Sequence, residues 1–451
     1  MNIIASRRSR IVTAACLWAN TFLPCACVRR VPPPDTGGVA GNTPPRDVIL
    51  DQHTDELMRA LQQGDDAHAE SMFDADMKAA LPLEKVAALR TQLLAQLGTI
   101  DSWRIVGRDI AREYERRTVD VKGSKATVRT IIALDPPTAE IAGIFFVEAM
   151  PADGSGTPAD GVHAEEVSVG SAPWVLGATL TIPKGMGPFP AIVLLGGSGP
   201  VDRDESVGAN KPFRDISYGL AARGIMVLRF DKRTTTYGAQ LDAKKVTLQD
   251  EYIADGKAAL EFLRNQQGVD TSRIYLAGHS LGAWIAPDVA MAGGPVAGLV
   301  LLAPPSRPLP KIIVQQLRYL KAPPEKIAAA EKQAHRILDG ELGEDQVAFG
   351  AGRAYWTDLL ARNVIVSARK LQVPILILHG ERDYQVLEED IEGWRKGLSG
   401  QENVHIDTLP SLNHLFIEGK GSPDPAEYAK AGHVSEKVID EIAAFVLHGR
   451  S

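Results

Sequence analysis

Cysteine is nearly absent from this 451-residue chain: its three, Cys16, Cys25 and Cys27, all lie before residue 31. The rest of the chain therefore forms no disulfide, even in an oxidising compartment that permits one, and offers no thiol nucleophile. Long apolar runs are missing as well; none approaches the roughly 20 residues that a membrane-spanning helix needs. Nor is there a basic stripe beyond the N-terminus. Forty-nine Lys+Arg against 56 Asp+Glu leave a net charge of −7, which argues against a nucleic-acid partner. No His, Cys or Asp spacing matches a metal site, so neither metal nor cofactor is expected. What is present, 45% hydrophobic and 23% charged residues with scattered Gly and Pro, is the balance of a globular protein. Its length suits two domains, or one large domain with an appendage.

Residues 1–30 read as a signal peptide. Arg7, Arg8 and Arg10 form a basic start, Ile11 to Leu23 a mostly apolar stretch, and Pro24-Cys25-Ala26-Cys27 the exit. A buried N-terminal helix is the competing reading, against which Asn20 and the Pro-rich exit speak. The Pro/Gly-rich residues 31–46 then form a linker. The expectation is an exported protein, periplasmic or secreted. A lipid anchor at Cys27 is the alternative, although Pro24 stands where lipoprotein signals prefer Leu. Arg7-Arg8 also hints at twin-arginine export, weakened by Arg10.

Residues 47–150 read as a small α+β domain. Asp55–Leu61 is helical in pattern, and a helix over Pro82–Leu97 puts Val86, Leu89, Leu93 and Leu97 on one stripe before Gly98 stops it. Strand-like runs follow at Trp103–Val106, Thr118–Val121, Ala126–Leu134 and Ile144–Val147, with Lys122-Gly123-Ser124 as a hairpin turn. Residues 151–161, PADGSGTPADG, form a second linker by composition. From 162 to 451 the pattern becomes short, almost wholly apolar strands alternating with helices. The strands are Glu166–Val169, Val175–Thr181, Ala191–Leu195, Ile225–Phe230, Ile274–Ala277, Leu299–Leu302, Ile375–Leu378 and Val404–Thr408. This predicts an α/β fold, a mainly parallel eight-stranded sheet covered on both faces. The helical stretch 310–370 interrupts the rhythm as an insertion, either a cap over a site or a packing decoration.

The chemistry centres on Gly278-His279-Ser280-Leu281-Gly282, where an apolar strand empties into a helix. A nucleophile on so tight a turn has a strained backbone, so its neighbours must be tiny, and both glycines satisfy that demand. The alternative for Ser280 is a helix N-cap. A serine hydroxyl needs a base, and the base needs an orienting acid, each in a loop after a later strand. His379-Gly380-Glu381-Arg382-Asp383 supplies Asp383 as the acid, with Glu381 as its rival, and Leu412-Asn413-His414 supplies His414 as the base. For the oxyanion, the Leu281 N–H is one donor. The loop Gly196-Gly197-Ser198-Gly199 gives the second, the Ser198 N–H, with Gly197 the alternative. That loop matches neither nucleotide-binding glycine pattern. Asp202, Arg203 and Asp204 are expected to tie it down by ion pairs. Asp231, Lys232 and Arg233 are expected to form a solvated ion-pair cluster.

These motifs resemble the α/β-hydrolase superfamily over residues 162–449. The runs Leu194–Asp204 and Leu228–Arg233 are similar to those of exported bacterial esterases related to dienelactone hydrolases and acyl-CoA thioesterases. The resemblance implies a Ser–Asp–His triad at Ser280, Asp383 and His414. Two departures stand out: no cysteine is available where dienelactone hydrolases use one, and Thr234–Gly238 lacks the glycine-rich continuation of relatives. The first domain resembles a small unit of unassigned function, through Phe73–Lys78, Leu81-Pro82 and Ile141–Phe146. The expected activity is hydrolysis of a small-molecule carboxylic ester. A peptidase, amidase or thioesterase of the same fold is the alternative, with Glu389 and Asp390 the nearest acidic pair, and a non-catalytic envelope binding protein is the other.

Overall fold

A strand buried on both faces is apolar at nearly every position, and the second half of the chain supplies such strands in series. The computed structural model describes residues 46–449, apart from 112–113, 147–149, 152–160 and 239, and pairs these strands into one eight-stranded sheet. They are β1 (His163–Ser171), β2 (Trp174–Ile182), β3 (Phe189–Leu195), β4 (Met226–Phe230), β5 (Val269–His279), β6 (Gly298–Leu302), β7 (Ile375–Gly380) and β8 (Val404–Leu409). Their order across the sheet is β8-β7-β6-β5-β3-β4-β2-β1. Pairing is parallel from β8 to β4, while β2 runs antiparallel to both β4 and β1.

Alternate residues feed two cores. Val193, Leu195, Leu276, Leu299, Leu301 and Ile377 pack with the helices Asp255–Asn265 and Leu281–Gly293. Ile192, Leu194, Ala277, Val300, Leu302 and Leu378 pack with Pro212–Ala222 and Glu436–His448. The register then aligns the strand ends: Leu195 pairs with Gly278, His279 with Leu302, Leu302 with Leu378, and Gly380 with Leu409. Strand order reverses at β3, with β4 on one side and β5 on the other, and the crevice beyond the carboxyl ends at such a switch is where open α/β sheets bind ligands.

The expected insertion leaves the sheet between β6 and β7. It consists of the helices Leu309–Tyr319, Pro324–Leu338, Arg353–Ala361 and Val364–Lys370, with a short Val347–Ala348/Ala351–Gly352 ribbon.

The chain divides into two compact units, and the first has its own sheet and core. Strands Ser102–Ala111, Tyr114–Lys122, Ala126–Leu134 and Ile141–Phe146 form an antiparallel meander, with Met150–Pro151 beside the third. Helices Arg46–Gln63 and Leu83–Leu97 contribute Leu50, Leu57, Val86, Leu93 and Leu97 to its core. Pro82 stands at the N-cap of the second helix rather than in its first turn, and Gly98 ends it at φ 78°. The segment read as an export signal, with its three cysteines, lies outside the described residues. Among the described residues no helix is long and apolar enough to cross a membrane.

Trp394 anchors the exit of β6: it is fully buried, and its indole N–H donates to the carbonyls of Pro304 and Pro305, each at 3.1 Å. Trp394→Ala is expected to cost about 3–5 kcal/mol. Trp394→Phe, which keeps most of the packing and loses the donor, should cost about 1–2 kcal/mol beyond its volume change. Denaturant midpoints at unchanged slope check both.

Candidate active site

β5 ends at His279, and Ser280 follows with φ 52° and ψ −119°, a conformation that L residues rarely adopt. Two close approaches hold it there. A Cβ on Gly278 would lie 2.3 Å from the Gly282 oxygen, and one on Gly282 would lie 2.3 Å from the Leu195 oxygen and 2.4 Å from that of Gly196. Glycine at both positions lets the turn close and lets the helix abut the end of β3. The Ser280 N–H donates to the Leu302 carbonyl at 2.8 Å, fixing the turn to β6. Ser280 stands at the N-cap position of the helix that starts at Leu281, at its positive end, but its side chain makes no capping bond to that helix.

The loops after β7 and β8 meet in the same way. A Cβ on Gly380 would lie 2.4 Å from the Leu412 oxygen, and the Arg382 N–H donates to that oxygen at 2.9 Å. Asp383 Oδ2 thereby lies 2.6 Å from His414 Nδ1, while Oδ1 accepts the N–H groups of Gln385 and Val386 at 2.7 and 3.0 Å. Glu381, the rival acid, is exposed. Burial works against the Asp383 carboxylate, but the charge and hydrogen bond of His414 outweigh it and hold its pKa below the usual carboxylate range. Burial pushes His414 down; Asp383 opposes this and the neighbouring His279 adds to it, so the imidazole ends below the ordinary histidine value. A neutral His414 whose Nδ1–H is held by Asp383 keeps Nε2 as a proton acceptor.

The loop after β3 is held by buried charge. Glu205, itself at φ 53°, accepts the Gly197 N–H at 2.7 Å and lies 2.9 Å from His279 Nδ1 through the same oxygen. His279 Nε2 lies 2.9 Å from the His414 carbonyl, so this imidazole bridges the glycine loop and the histidine loop. Burial opposes its cation, but Glu205, the His414 carbonyl and Asp383 together raise its pKa. The Gly197 N–H, the alternative oxyanion donor, is therefore committed to Glu205. The Ser198 hydroxyl is buried without a hydrogen-bond partner among the described residues.

The expected tie-down by ion pairs is present for two of the three residues, since Arg203 pairs with Asp231 and Glu166 and Asp204 with Lys211 and Arg229, while Asp202 accepts the backbone N–H groups of Asp204 and Ser206. The solvated reading of Asp231, Lys232 and Arg233 is overturned for the last two, while Asp231 stays partly exposed in its pair with Arg203. Lys232 and Arg233 are buried, because Arg233 pairs with Asp255 while Lys232 Nζ reaches the Gly197 carbonyl, Tyr252 and Glu251. Sequence reasoning missed Glu205 and Tyr252 altogether and gave His279 and Lys232 no structural part in the site; the charged run Asp202–Asp204 was a signal only for the adjoining Glu205. Glu389 and Asp390 both pair with Arg307.

Ser280, His414, Gly197 and Ser198 line one cavity of about 210 Å³, with Glu205, His279 and Gln385 also in its wall. Leu281 borders a separate groove with Trp284. A second cavity, about 250 Å³, shares Ser198, Gly199 and Pro200 with the first and extends under the insertion to Leu309, Ile313, Phe349 and Trp356. The insertion thus roofs a cavity that opens on the glycine loop. Among the described residues no group of three His, Cys, Asp or Glu side chains is arranged to hold a metal ion. What the arrangement can do is nucleophilic chemistry: a hydroxyl on a rigid turn, a neutral buried imidazole oriented by a carboxylate, and backbone N–H groups beside them.

An alpha/beta hydrolase family model matches residues 192–431. The esterase EstD of Thermotoga maritima is 37% identical over 386 residues, covering 84% of this chain and 90% of its own. Among solved structures, Est1E from Butyrivibrio proteoclasticus is 20% identical, covers 62% of this chain and 97% of its own, and has a TM-score of 0.43. The hyperthermophilic esterase from Pyrobaculum calidifontis is 16% identical, covers 63% of this chain and 85% of its own, and has a TM-score of 0.41. The match to the family model, together with the extent and identity of the Thermotoga relative, assigns the fold and its ancestry: this chain belongs to the alpha/beta hydrolase family.

Proposed function

We propose that this protein is a serine hydrolase of carboxylic esters, working through an acyl-enzyme. The observation that carries the reading is the 2.6 Å contact of Asp383 with His414, whose imidazole shares one cavity with a serine in the strained elbow conformation. The naming of a relative that spans nearly the whole chain as an esterase supports it. Ser280 Oγ attacks the acyl carbon while His414 Nε2 takes its proton. Asp383 stabilises the imidazolium, and the Leu281 and Ser198 N–H groups hold the oxyanion. Collapse expels the alcohol, to which His414 returns the proton. Water, activated by the same imidazole, then releases the acid and restores Ser280. The cavity under the insertion takes one substituent of the ester. Its one charged lining residue, Glu251, is neutralised by Lys232 at 3.1 Å, so that substituent is uncharged and apolar.

Ser280→Ala is expected to lower kcat/KM on short-chain aryl esters by about 10⁴-fold or more, with an unchanged melting temperature. Hydrolysis at the original rate would overturn the assignment. Asp383→Asn removes the group that orients His414 and should cost about 10⁴-fold in kcat.

The base works only when neutral, and its pKa lies below the ordinary value. The kcat/KM profile should therefore fall on the acid side with an apparent pKa below about 6.5, and stay flat as pH rises above it. An acid limb centred above that value contradicts the electrostatics of the site.

Filling the second cavity tests the substrate class. Ile313→Trp should leave acetate esters within about threefold of the parent while lowering kcat/KM for long acyl or alkyl esters by about tenfold or more, since each excluded methylene forfeits about 0.8 kcal/mol. A uniform loss over all chain lengths, in a panel assay, would remove the pocket assignment.

A further inference from the structure

The Gly197 carbonyl is held in an unusual way for an oxygen in a surface-facing loop. It accepts from Lys232 Nζ at 2.8 Å and from the Tyr252 hydroxyl at 2.6 Å, and Lys232 Nζ is itself 2.7 Å from that hydroxyl. A backbone carbonyl needs only one neutral donor to be satisfied, and two of its neighbours here come from a buried cluster that includes a charge. Lys232 is only 3% exposed, and Glu251 at 3.1 Å is its counter-ion, held in turn by the Thr234 hydroxyl at 2.8 Å. Glu251 and Tyr252 sit side by side on a π-helical turn, Gln249–Ala254. Such turns are rare and recur at functional sites.

The carbonyl belongs to the peptide unit whose N–H is that of Ser198. Among the described residues the cis peptide bonds are Ala172-Pro173 and Gly187-Pro188, so this unit is trans and its C=O and N–H point in opposite directions. With the oxygen turned to Lys232 and Tyr252, the Ser198 N–H points away from them. Glycine at 196, 197 and 199 leaves this segment free to rotate, and a flipped peptide would present an oxygen where an oxyanion must be bound. A charged donor on the carbonyl also draws electron density from the far end of the amide, which strengthens its N–H as a donor.

We propose that Lys232 and Tyr252 are positioning residues of the oxyanion hole: they fix the Gly197–Ser198 peptide in one orientation and polarise its N–H toward the developing negative charge. This rests on the ester-hydrolase reading and deepens it. Burial keeps the Tyr252 hydroxyl protonated, since its pKa lies well above the ordinary tyrosine value, so it remains a donor over the working range of pH. The residues touch neither substrate nor reacting atoms. Their effect must therefore appear in the transition state and be nearly absent from ground-state binding.

The test compares Tyr252→Phe, Lys232→Met and Ser280→Ala in the full chain, reading kcat, KM and affinity for a trifluoromethyl ketone that forms a tetrahedral adduct on the serine. Tyr252→Phe should lower kcat by about tenfold and Lys232→Met by about 100-fold, up to the loss seen when an oxyanion donor is deleted, with KM within about twofold. Ketone affinity should fall by the same factors. Lys232→Arg, which keeps the charge, should recover part of the loss. If Lys232→Met does not fold, Tyr252→Phe decides alone, because it removes one hydroxyl and keeps the shape. Folded variants whose kcat and ketone affinity stay within about twofold of the parent would overturn the proposal, as would a loss carried wholly by KM. Ser280→Ala separates the two readings. If it still hydrolyses ester, the site itself is misassigned; if it is inactive while the other variants match the parent, this inference alone fails.

Discussion

The active edge depends on contacts too close for a side-chain carbon. Gly282 brings the first turn of its helix against the carbonyls of Leu195 and Gly196, and Gly380 brings the acid loop against those of Leu412 and Asn413. Because the register has already aligned the strand ends, these contacts are enough to join four loops in two pairs. His279 then links the pairs, with one ring nitrogen on Glu205 and the other on the His414 carbonyl. The imidazole inside the elbow is thus a clasp between the halves of the site, set beside the His414 ring at a centroid distance of 4.5 Å.

Around this clasp lies an amount of buried charge that stability alone does not explain. Glu205, Lys232, Arg233, Glu251, Asp255, His279 and Asp383 are all 6% exposed or less. Taking such groups out of water costs several kcal/mol apiece, and pairing offsets that cost with little net gain in stability. What the pairs supply is fixed direction. Gly197 has its N–H on the Glu205 carboxylate and its C=O on the Lys232 ammonium, so a residue with no side chain is held at both ends by opposite charges. Dipoles fixed before substrate arrives need no reorganisation when charge develops.

The legible parts of the sequence were those governed by local rules. Strands such as Ile274–Ala277 and Ile375–Leu378 are apolar throughout because both faces are covered, and all eight expected strands lie in the sheet, the largest offset being the start of the fifth at Val269 rather than Ile274. The elbow was readable because its backbone strain demands glycine at 278 and 282. Asp383 was preferred over Glu381, two residues earlier in the same loop, on position alone, and the contact with His414 and the exposure of Glu381 are what distinguish them in space. Lys232 was misread because a charged triplet at a strand end is ordinarily solvated. Its partners, Glu251 and the Gly197 carbonyl, are far away in sequence, and no composition rule announces that a lysine will be buried by them.

The insertion and the sheet supply different parts of the proposed site. None of Ser280, Asp383, His414, Leu281 or Ser198 comes from the insertion, whereas Leu309, Ile313, Phe349 and Trp356 of the second cavity do. On the proposed reading, side chains under the roof can vary in size without altering the edge that carries Ser280, Asp383 and His414. Tyr355 is the exception. It lines the same cavity and hydrogen-bonds Glu251, the counter-ion of Lys232, which in turn holds the Gly197 carbonyl.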